Sequence, residues 1–474
     1  MPLILGAQSA VSTGDVVTNS CRFDGSSTYL HKTPGSSGNL RKWTFSTWVK
    51  ISLIGGSRVL IGAPSDGSNY DEIWFSGSAF RFDHWTSGST AGTLITDKLF
   101  RDPGAWYHIV CVWDSDNASA GDRMKLYVNG TEQTSFSQDT NPSLNADSYM
   151  GNSSYPMEVG AMNTGEYLSG YMAEVVFIDG QALTPTSFGE FDSDSPTIWK
   201  PIDVSGLTFG TNGFYLDFED SANLGNDASG GTDLTEVNLA AIDQATDTPA
   251  NNFSTLASNC PRHSDLTITD QNTGLSSANS QWLGVCTTQA VFAGKWYVEA
   301  KYITGYNFKL GVVGNGGANV PWLTANSSYA GYSPIGYEYQ FNNSGTGYKV
   351  NDDASPSWTE GSTTNATGII MMAFDADAGK IWWGKDGSWF DSSGTADPAA
   401  GDDPAFDSIA ISTNQPWMFS LAIEGTGTNF INFGNPPYAN TSDAEDENGY
   451  GKFEYAPPSG FLAVCTKNLG SDGG

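Results

Sequence analysis

Cationic residues, long apolar runs, cysteine and histidine are all scarce in this sequence. Each shortage argues against a class of binding partner or of chemistry. Lysine and arginine number 21 against 52 aspartates and glutamates, which gives a net charge of −31 at pH 7. Since nucleic acids and anionic membrane surfaces are bound through cationic side chains, this balance argues against both as partners. No stretch approaches the roughly 20 apolar residues of a membrane-spanning helix. The opening MPLILGAQSAVSTGD lacks the features of a signal peptide, so we expect synthesis in a cytoplasm.

The few cysteines and histidines disfavour metal and nucleophilic chemistry. The five cysteines are odd in number and lack the CxxC spacing of zinc ligands, so we expect small buried apolar side chains. Cys260 and Cys286 are the exception, because the two could lie on adjacent strands. Of the four histidines, His84 and His108 lie in strand patterns and are expected to be structural. No GxSxG motif supplies a nucleophile.

The abundant residue types indicate an all-β protein. Aromatic residues make up 13% of the chain and glycines number 55, whereas helical periodicity is almost absent. KWTFSTWVK (42–50) alternates as a half-buried strand does, and WYHIVCVW (106–113) is apolar on both faces like a covered central strand. The turn residues Asn129-Gly130 and Asp377–Gly379 predict hairpins. We therefore predict antiparallel β-sandwiches.

Two series of segments resemble known families. The first series, across residues 15–190, is FDGSSTYL (23–30), KWTFSTWVKI (42–51), AWYHIVCVWD (105–114), MKLYVNGTE (124–132) and LSGYMAEVVFIDGQALTPTSF (168–188). The order and spacing of these segments resemble those of the laminin G-like, concanavalin A-type lectin family. The second series, across residues 280–470, is GKWYVEAKY (294–302), KLGVVGN (309–315), IIMMAFDADAGKIWWGKDGSW (369–389), PWMFSLAI (416–423) and NFINFGNPPY (429–438). It resembles the SPRY family.

The resemblances imply a concanavalin A-like jelly roll over residues 1–200 and a SPRY-like sandwich over 256–474. Residues 201–255 are polar apart from FYLDF (214–218), so we expect an appended strand and a linker that wraps the first domain. A small insertion between the two sandwiches is the alternative.

The whole arrangement resembles structural proteins of tailed bacteriophages, especially marine ones. Segments such as GNDASGGTDLTEVNL (225–239) and YAPPSGFLAVCTKNLG (455–470) carry this resemblance. It implies a non-enzymatic virion surface protein: a tail fibre, spike or capsid-surface component, made in the host cytoplasm. Its implied partners are a host cell-surface glycan and other virion proteins, and it would be a homo-oligomer. A tail depolymerase and a purely structural capsid decoration protein are the alternatives.

Glucanases share the lectin fold, so glycan hydrolysis is the enzymatic alternative. Their active strand carries alternating carboxylates that face one cleft. No strand here has that pattern, since Asp71 and Glu72 are adjacent and point to opposite faces. We therefore expect no catalytic residues. Paired carboxylates about 5–10 Å apart in a cleft would favour the enzyme instead.

Calcium is the cofactor that the resemblance implies, as a structural ion held by oxygen ligands at strand ends. The matching positions are Asp24 in FDGSS and Asp179 in FIDGQ. The sequence departs from many relatives at Ala173, where they carry an aspartate, and this weakens the expectation of a bound ion.

Aromatic side chains are the better binding candidates, because sugars stack on rings while carboxylates and amides pair with their hydroxyl groups. In the first domain Tyr70, Trp74, Asp83 and Trp85 lie close together in sequence. Their rings line either a sugar platform on the sheet or the core. Four further candidates lie in loops expected at one end of the SPRY-like sandwich: Trp322, Tyr329, Tyr332 and Trp358.

Overall fold

The structure is a computed structural model that describes residues 17–163, 165–260, 262–304, 307–314, 329–342, 347–354, 357–358, 368–391, 395–411 and 415–470. The chain divides into a first unit within Val11–Ala250 and a second unit within Asn251–Gly474. Both units consist largely of antiparallel strands, which confirms the all-β prediction. In these ranges, no helix has the length and apolar character needed to cross a membrane.

The first unit is built from two large antiparallel sheets and one two-stranded antiparallel sheet. Its strands are β1 (Ser20–Asp24), β2 (Tyr29–Lys32), β3 (Lys42–Ile51), β4 (Ser57–Asp66), β5 (Asn69–Ser76), β6 (Ala79–Thr86), β7 (Ser89–Leu99), β8 (Trp106–Asp114), β9 (Met124–Val128), β10 (Thr131–Glu132), β11 (Phe136–Thr140), β12 (Met157–Val159), β13 (Ser169–Asp179), β14 (Gly189–Phe191), β15 (Trp199–Pro201), β16 (Phe214–Leu216), β17 (Thr235–Val237) and β18 (Gln244–Ala245). Its 3-10 turns are Ala120–Asp122, Pro185–Ser187 and Ala241–Asp243.

The first sheet has the order β10-β9-β8-β3-β13-β1-β18, with β16 also beside β13, and the second sheet has the order β11-β7-β6-β5-β4-β12-β2-β17. The core lies between them. Trp43 of the first sheet contacts Phe82 of the second, with ring centroids 5.5 Å apart. The segment 201–250 packs within this unit, because β16 and β18 join the first sheet and β17 joins the second.

The second unit also contains two large sheets. Its strands are β19 (Leu266–Thr269), β20 (Gly274–Ser277), β21 (Leu283–Val291), β22 (Lys295–Thr304), β23 (Asn307–Gly314), β24 (Gly336–Asn342), β25 (Gly347–Val350), β26 (Ser357–Trp358), β27 (Gly368–Asp375), β28 (Lys380–Lys385), β29 (Ser388–Trp389), β30 (Trp417–Glu424), β31 (Gly427–Asn432) and β32 (Leu462–Ala463). Its short helical pieces are Asp270–Asn272, Ala330–Tyr332 and Thr466–Asn468. The sheet orders are β19-β20-β31-β22-β27-β28-β29, with β32 beside β22, and β21-β30-β23-β24-β25-β26.

Both predicted hairpins are confirmed. Asn129 and Gly130 have φ angles of 48° and 74°, the positive values that a tight turn between β9 and β10 requires. Gly379, with φ 66°, lies in the turn between β27 and β28.

Strand β3 departs from its prediction, because both of its faces are buried rather than one. The inner face packs into the core, and the outer face is covered by chain from the end of the unit. There the Lys50 ammonium lies 2.6 Å from the Asp247 carboxylate, and the side chains are 1% and 0% exposed. Trp106 Nε1 donates to the other Asp247 oxygen at 3.0 Å. The alternation of residue types in β3 could not reveal that its outer face is buried, because the residues that cover it lie about two hundred positions later in the chain.

We expect Asp247→Ala to reduce the free energy of unfolding by about 3–5 kcal/mol, because the Lys50 ammonium would be left buried without its counter-ion. Replacing both partners with apolar residues, Lys50→Met and Asp247→Leu, should recover most of that loss. Urea unfolding of the full chain, followed by tryptophan fluorescence, measures both effects. Asp122→Ala, which removes an exposed partner of Lys125, is the control and should cost less than about 1 kcal/mol. Equal losses for the two single variants would contradict the expectation.

Candidate functional site

Strands β5 and β6 present two chemically different faces. Their inward side chains, which include Ile73 and Phe82, are fully buried in the core. Their outward side chains form three direct cross-strand pairs: Tyr70 with Trp85, Glu72 with Asp83, and Trp74 with Arg81. We call these six residues the aromatic–acidic face. It lies on the side of the second sheet opposite the core.

The Tyr70 and Trp85 rings stack on one another, with centroids 5.7 Å apart and planes inclined by 11°. Both rings, and that of Trp74, are partly exposed. None of the three belongs to the core between the sheets. Of the two readings left open by the sequence, the structure places these rings on the sheet surface.

The Asp83 carboxylate holds the other end of the face in place. It accepts a hydrogen bond from Trp74 Nε1 at 2.8 Å and one from the Thr93 hydroxyl. Arg81 Nε lies 3.0 Å from it, and the guanidinium stacks 4.9 Å from the centre of the Trp74 ring. Because its oxygens are occupied and the side chain is 1% exposed, Asp83 positions its neighbours.

Glu72 lies directly opposite Asp83, so the two Cβ atoms are roughly 5 Å apart. Glu72 is 4% exposed. Burial, together with the nearby carboxylates of Glu166 and Asp83, raises the pKa of the Glu72 carboxyl to about 9. Its Oε1 atom has no hydrogen-bond partner among the described residues. Burial and the neighbouring negative charges therefore favour the uncharged form of Glu72.

Sequence reasoning identified Tyr70, Trp74, Asp83 and Trp85 and missed Glu72 and Arg81. The signal for Glu72 was available, because a two-residue period places it between the two rings of β5. Asp71 points to the other face, as predicted. Its carboxylate lies 2.6 Å from His84 Nδ1 and accepts the Met150 amide at 3.1 Å. This inward pair makes His84 a structural residue.

His108 is close to a serine but cannot activate it. Trp199 Nε1 donates to His108 Nδ1 at 2.9 Å, and an indole nitrogen can only donate. The proton of the neutral ring is therefore on Nε2, which donates to Ser46 Oγ at 2.9 Å. A general base needs the opposite arrangement, with Nε2 accepting from the hydroxyl. Burial lowers the pKa of His108 to about 3 and keeps the ring neutral.

The two calcium candidates do not come together. Asp24 pairs with Ser169 at the start of β13, whereas Asp179 is the last residue of that strand. At a rise of about 3.3 Å per residue they are ~30 Å apart. Asp179 accepts the backbone amides of Asn39 and Asn212, at 2.7 and 3.0 Å. Within the described ranges, no group of three acidic, histidine or cysteine side chains could hold a metal ion.

Asp24 caps a turn. Its carboxylate accepts hydrogen bonds from the backbone amides of Ser26, Ser27 and Thr28. Partial burial opposes ionisation of Asp24, but these hydrogen bonds outweigh it and lower the pKa of the carboxyl well below its usual range. A bound ion is not needed to explain why an aspartate occupies this position.

In the second unit, Tyr332 is 54% exposed and packs edge-on against Tyr329. Tyr329 is buried, donates its hydroxyl hydrogen bond to Asp353 and covers the Lys309 ammonium. Trp282 lies on Lys309 as well, 4.0 Å from ring centre to nitrogen. Burial lowers the pKa of Lys309 to about 8. Tyr329 thus supports the turn that presents Tyr332.

Trp322, another predicted candidate, lies outside the described residues. Trp358 lies on β26, where it pairs with Gly347 through the backbone. Among the described side chains of the predicted loop candidates, Tyr332 is the one whose ring is well exposed to solvent.

The five cysteines are free thiols, four of them buried. Cys260 packs against a small cluster that contains Cys286, so the predicted neighbours are close but unbonded. Burial raises the pKa of both thiols, which disfavours the reactive thiolate.

Comparison with protein families supports a lectin-like domain in the first unit. The model of the concanavalin A-like lectin/glucanases superfamily matches residues 24–187, a stretch that contains the whole aromatic–acidic face. The match covers less than half of the chain. None of the curated proteins matches the sequence.

Solved structures resemble separate parts of the chain. A protein from Bacteroides ovatus, described as a candidate carbohydrate-binding protein, is 16% identical, with 47% of this chain and 60% of that one covered and a TM-score of 0.31. The heptameric SAP-like pentraxin from Limulus polyphemus is 15% identical, with 36% of this chain and 80% of that one covered and a TM-score of 0.28. The TRIM65 PSpry domain is 11% identical, with 38% of this chain and 89% of that one covered and a TM-score of 0.28. At these identities and TM-scores, the likenesses say nothing about what the chain binds.

We expect the His108 ring to stay neutral at pH 5, where an ordinary histidine is protonated. Because its folded-state pKa is depressed, its contribution to stability is present above about pH 6.5 and is lost as the pH falls towards 3. Nuclear magnetic resonance of ¹⁵N-histidine-labelled full chain measures the ring, and His108→Gln assigns its signal. Titration of that signal near pH 6.5 would contradict the neutral, Trp199-bonded ring.

Proposed function

We propose that the first unit binds a carbohydrate through the aromatic–acidic face. The observation that carries this proposal is that Tyr70, Trp74 and Trp85 are partly exposed on the side of the sheet opposite the core. Such rings offer flat apolar area to the C–H faces of sugars. Beside them, the partly exposed Arg81 guanidinium offers hydrogen-bond donors to hydroxyl groups.

The rigidity of the face supports a binding role. Asp83 holds both the Trp74 indole and the Arg81 guanidinium, and Tyr70 and Trp85 hold each other. Ligand binding then orders few side chains, which reduces the entropy cost of association.

We place this activity on a virion. The proposal rests on the sequence resemblance to structural proteins of tailed bacteriophages: a tail fibre, spike or capsid-surface component that binds a host cell-surface glycan. Symmetric assembly with copies of itself and with other virion proteins would present many such faces at once. Tyr332 of the second unit is the candidate contact for those partners or for a second glycan.

Glycan hydrolysis is the second candidate, because Glu72 and Asp83 are directly opposed on neighbouring strands and glycosidases use a pair of carboxyl groups. The raised pKa of Glu72 favours the protonated form that a general acid needs. Asp83, however, is buried and already bonded to Trp74, Arg81 and Thr93, so its oxygens are not free to attack a sugar. This occupied carboxylate favours binding without hydrolysis.

We expect a glycan array probed with the full chain to identify at least one bound glycan. Trp74→Ala should weaken that binding by roughly tenfold or more, because a ring in a binding centre contributes about 2 kcal/mol. Phe191→Ala removes an exposed ring elsewhere in the same unit and is the matched control. Loss of binding with Tyr332→Ala alone would move the site to the second unit, and an array without any signal would favour a decoration protein.

We expect no hydrolysis of the bound glycan. Incubating it with the full chain should release no new reducing ends, because Asp83 is held by its neighbours. If reducing ends appear in the wild-type sample and Glu72→Gln abolishes them, the depolymerase reading replaces the binding one. A heat-denatured sample gives the background.

A further inference from the structure

The outward side chains of the aromatic–acidic face continue beyond β6, across β7 and onto the edge strand β11. Arg81 of β6 is directly opposite Ile95 of β7, and Ile95 is directly opposite Gln138 of β11. Trp74 of β5 pairs with Arg81 from the other side. Directly opposed residues of antiparallel strands point to the same face of the sheet. We call the resulting line of side chains the outer row: Trp74, Arg81, Ile95 and Gln138.

A second line of opposed side chains lies beside the outer row and supports it. Asp83 of β6 is opposite Thr93 of β7, which is opposite Thr140 of β11. Thr93 is buried, and its hydroxyl donates to Asp83. Asp83 also accepts the Trp74 indole hydrogen at 2.8 Å and lies 3.0 Å from Arg81 Nε. This second line therefore holds the first half of the outer row in position.

The outer row is open to solvent along its length. Trp74 and Ile95 are partly exposed, the Arg81 side chain is 22% exposed, and Gln138 is exposed. Among the strands that the structure describes, β11 is the last of the second sheet. Since neighbouring strands lie about 4.8 Å apart, the row spans about 14 Å from β5 to β11, which exceeds a single sugar ring. A carbohydrate that contacts the whole row must therefore be a chain of sugars.

The chemistry of the outer row suits sugars without charge. The Trp74 ring and the Ile95 side chain offer apolar surface to C–H groups, and the Gln138 amide can donate to one hydroxyl group and accept from another. Arg81 is the cationic side chain of the row, and its guanidinium is already paired with Asp83. An acidic sugar would lose hydration here without meeting an unpaired cation.

We propose that the outer row binds an uncharged oligosaccharide along its length, with one sugar on Trp74 and a later sugar hydrogen-bonded to Gln138. This inference rests on the proposed function and deepens it, because it names the class of ligand and adds Ile95 and Gln138 as binding residues. Ile95 joins the two ends of the row by an apolar contact. Gln138 then contributes to affinity only when the sugar chain is long enough to reach β11.

Shortening the ligand separates the two ends of the row. The probes are the strongest hit of the glycan array and its truncations, down to the shortest that still binds, each titrated into the full chain by calorimetry. We expect Gln138→Ala to weaken binding of the longest probe by roughly fivefold, the equivalent of one net hydrogen bond, and to leave the shortest unchanged. Trp74→Ala should weaken binding of every probe.

Asp139→Ala is the matched control. Asp139 is the next residue of β11 and is also exposed, but it pairs with Leu94, whose side chain points into the core. We expect this variant to keep every affinity within about twofold of wild type. If Gln138→Ala has no effect on the longest probe, or no more effect than Asp139→Ala, the outer row is wrong as the binding surface, while the Trp74 result still decides whether the aromatic–acidic face binds the glycan.

Salt tests the charge of the ligand. Because an uncharged chain gains nothing from Coulomb attraction, we expect its affinity to change less than about twofold between about 0.05 and about 0.5 M NaCl. A strongest hit that carries carboxylate or sulfate groups, with an affinity that falls as salt rises, would overturn the proposal. Sedimentation in which Gln138→Ala changes the oligomeric state would also overturn it, since the row would then face a second copy of the chain. An array without any signal would reject both this inference and the proposed function.

Discussion

The register between β5 and β6 is the constraint on which the site depends. Successive side chains of a strand point to opposite faces, so a slip of one residue would carry Trp74 and Trp85 into the core. Specific polar contacts hold the register on both faces. Inside, His84 pairs with Asp71 at 2.6 Å, and outside, Trp74 donates to Asp83 at 2.8 Å. Apolar alternation sets which face is buried, and these bonds select one alignment.

Much of the fold could be predicted because strands and turns are local. The residue pattern that marks β3 as a strand and the positive φ required at Asn129 and Gly130 are properties of a few consecutive residues. The outer cover of the first sheet could not be predicted in the same way. Lys50 and Asp247 meet across 197 positions of chain, and a buried lysine in an alternating strand reads as a solvent-facing one until its partner is known.

The candidate site, like the fold, has a part that local sequence predicts and a part that depends on contacts between separate strands. The rings were identified from their closeness in sequence, whereas the opposition of Glu72 and Asp83 follows from strand pairing, which no single strand contains. A search for alternating carboxylates within one strand therefore missed a pair formed between two. The converse error affected calcium: Asp24 and Asp179 match a family pattern, yet β13 separates them along its whole length.

Buried glutamates of this acidic protein hold chain segments together by accepting hydrogen bonds. Glu72 differs from the other examples in its hydrogen-bond partners. Glu299 accepts the backbone amides of Glu454 and Tyr455 at 3.0 and 2.8 Å, and Glu338 accepts two amides of the 3-10 turn before β24. Hydrogen bonds from these backbone amides fix the segments, and the two carboxylates therefore need no hydrogen bonds from water. Glu72 faces the Asp83 carboxyl instead, and its Oε1 atom has no partner among the described residues. An apolar side chain in this position would cost less stability, so the proposed binding role explains the acid better than the fold alone does.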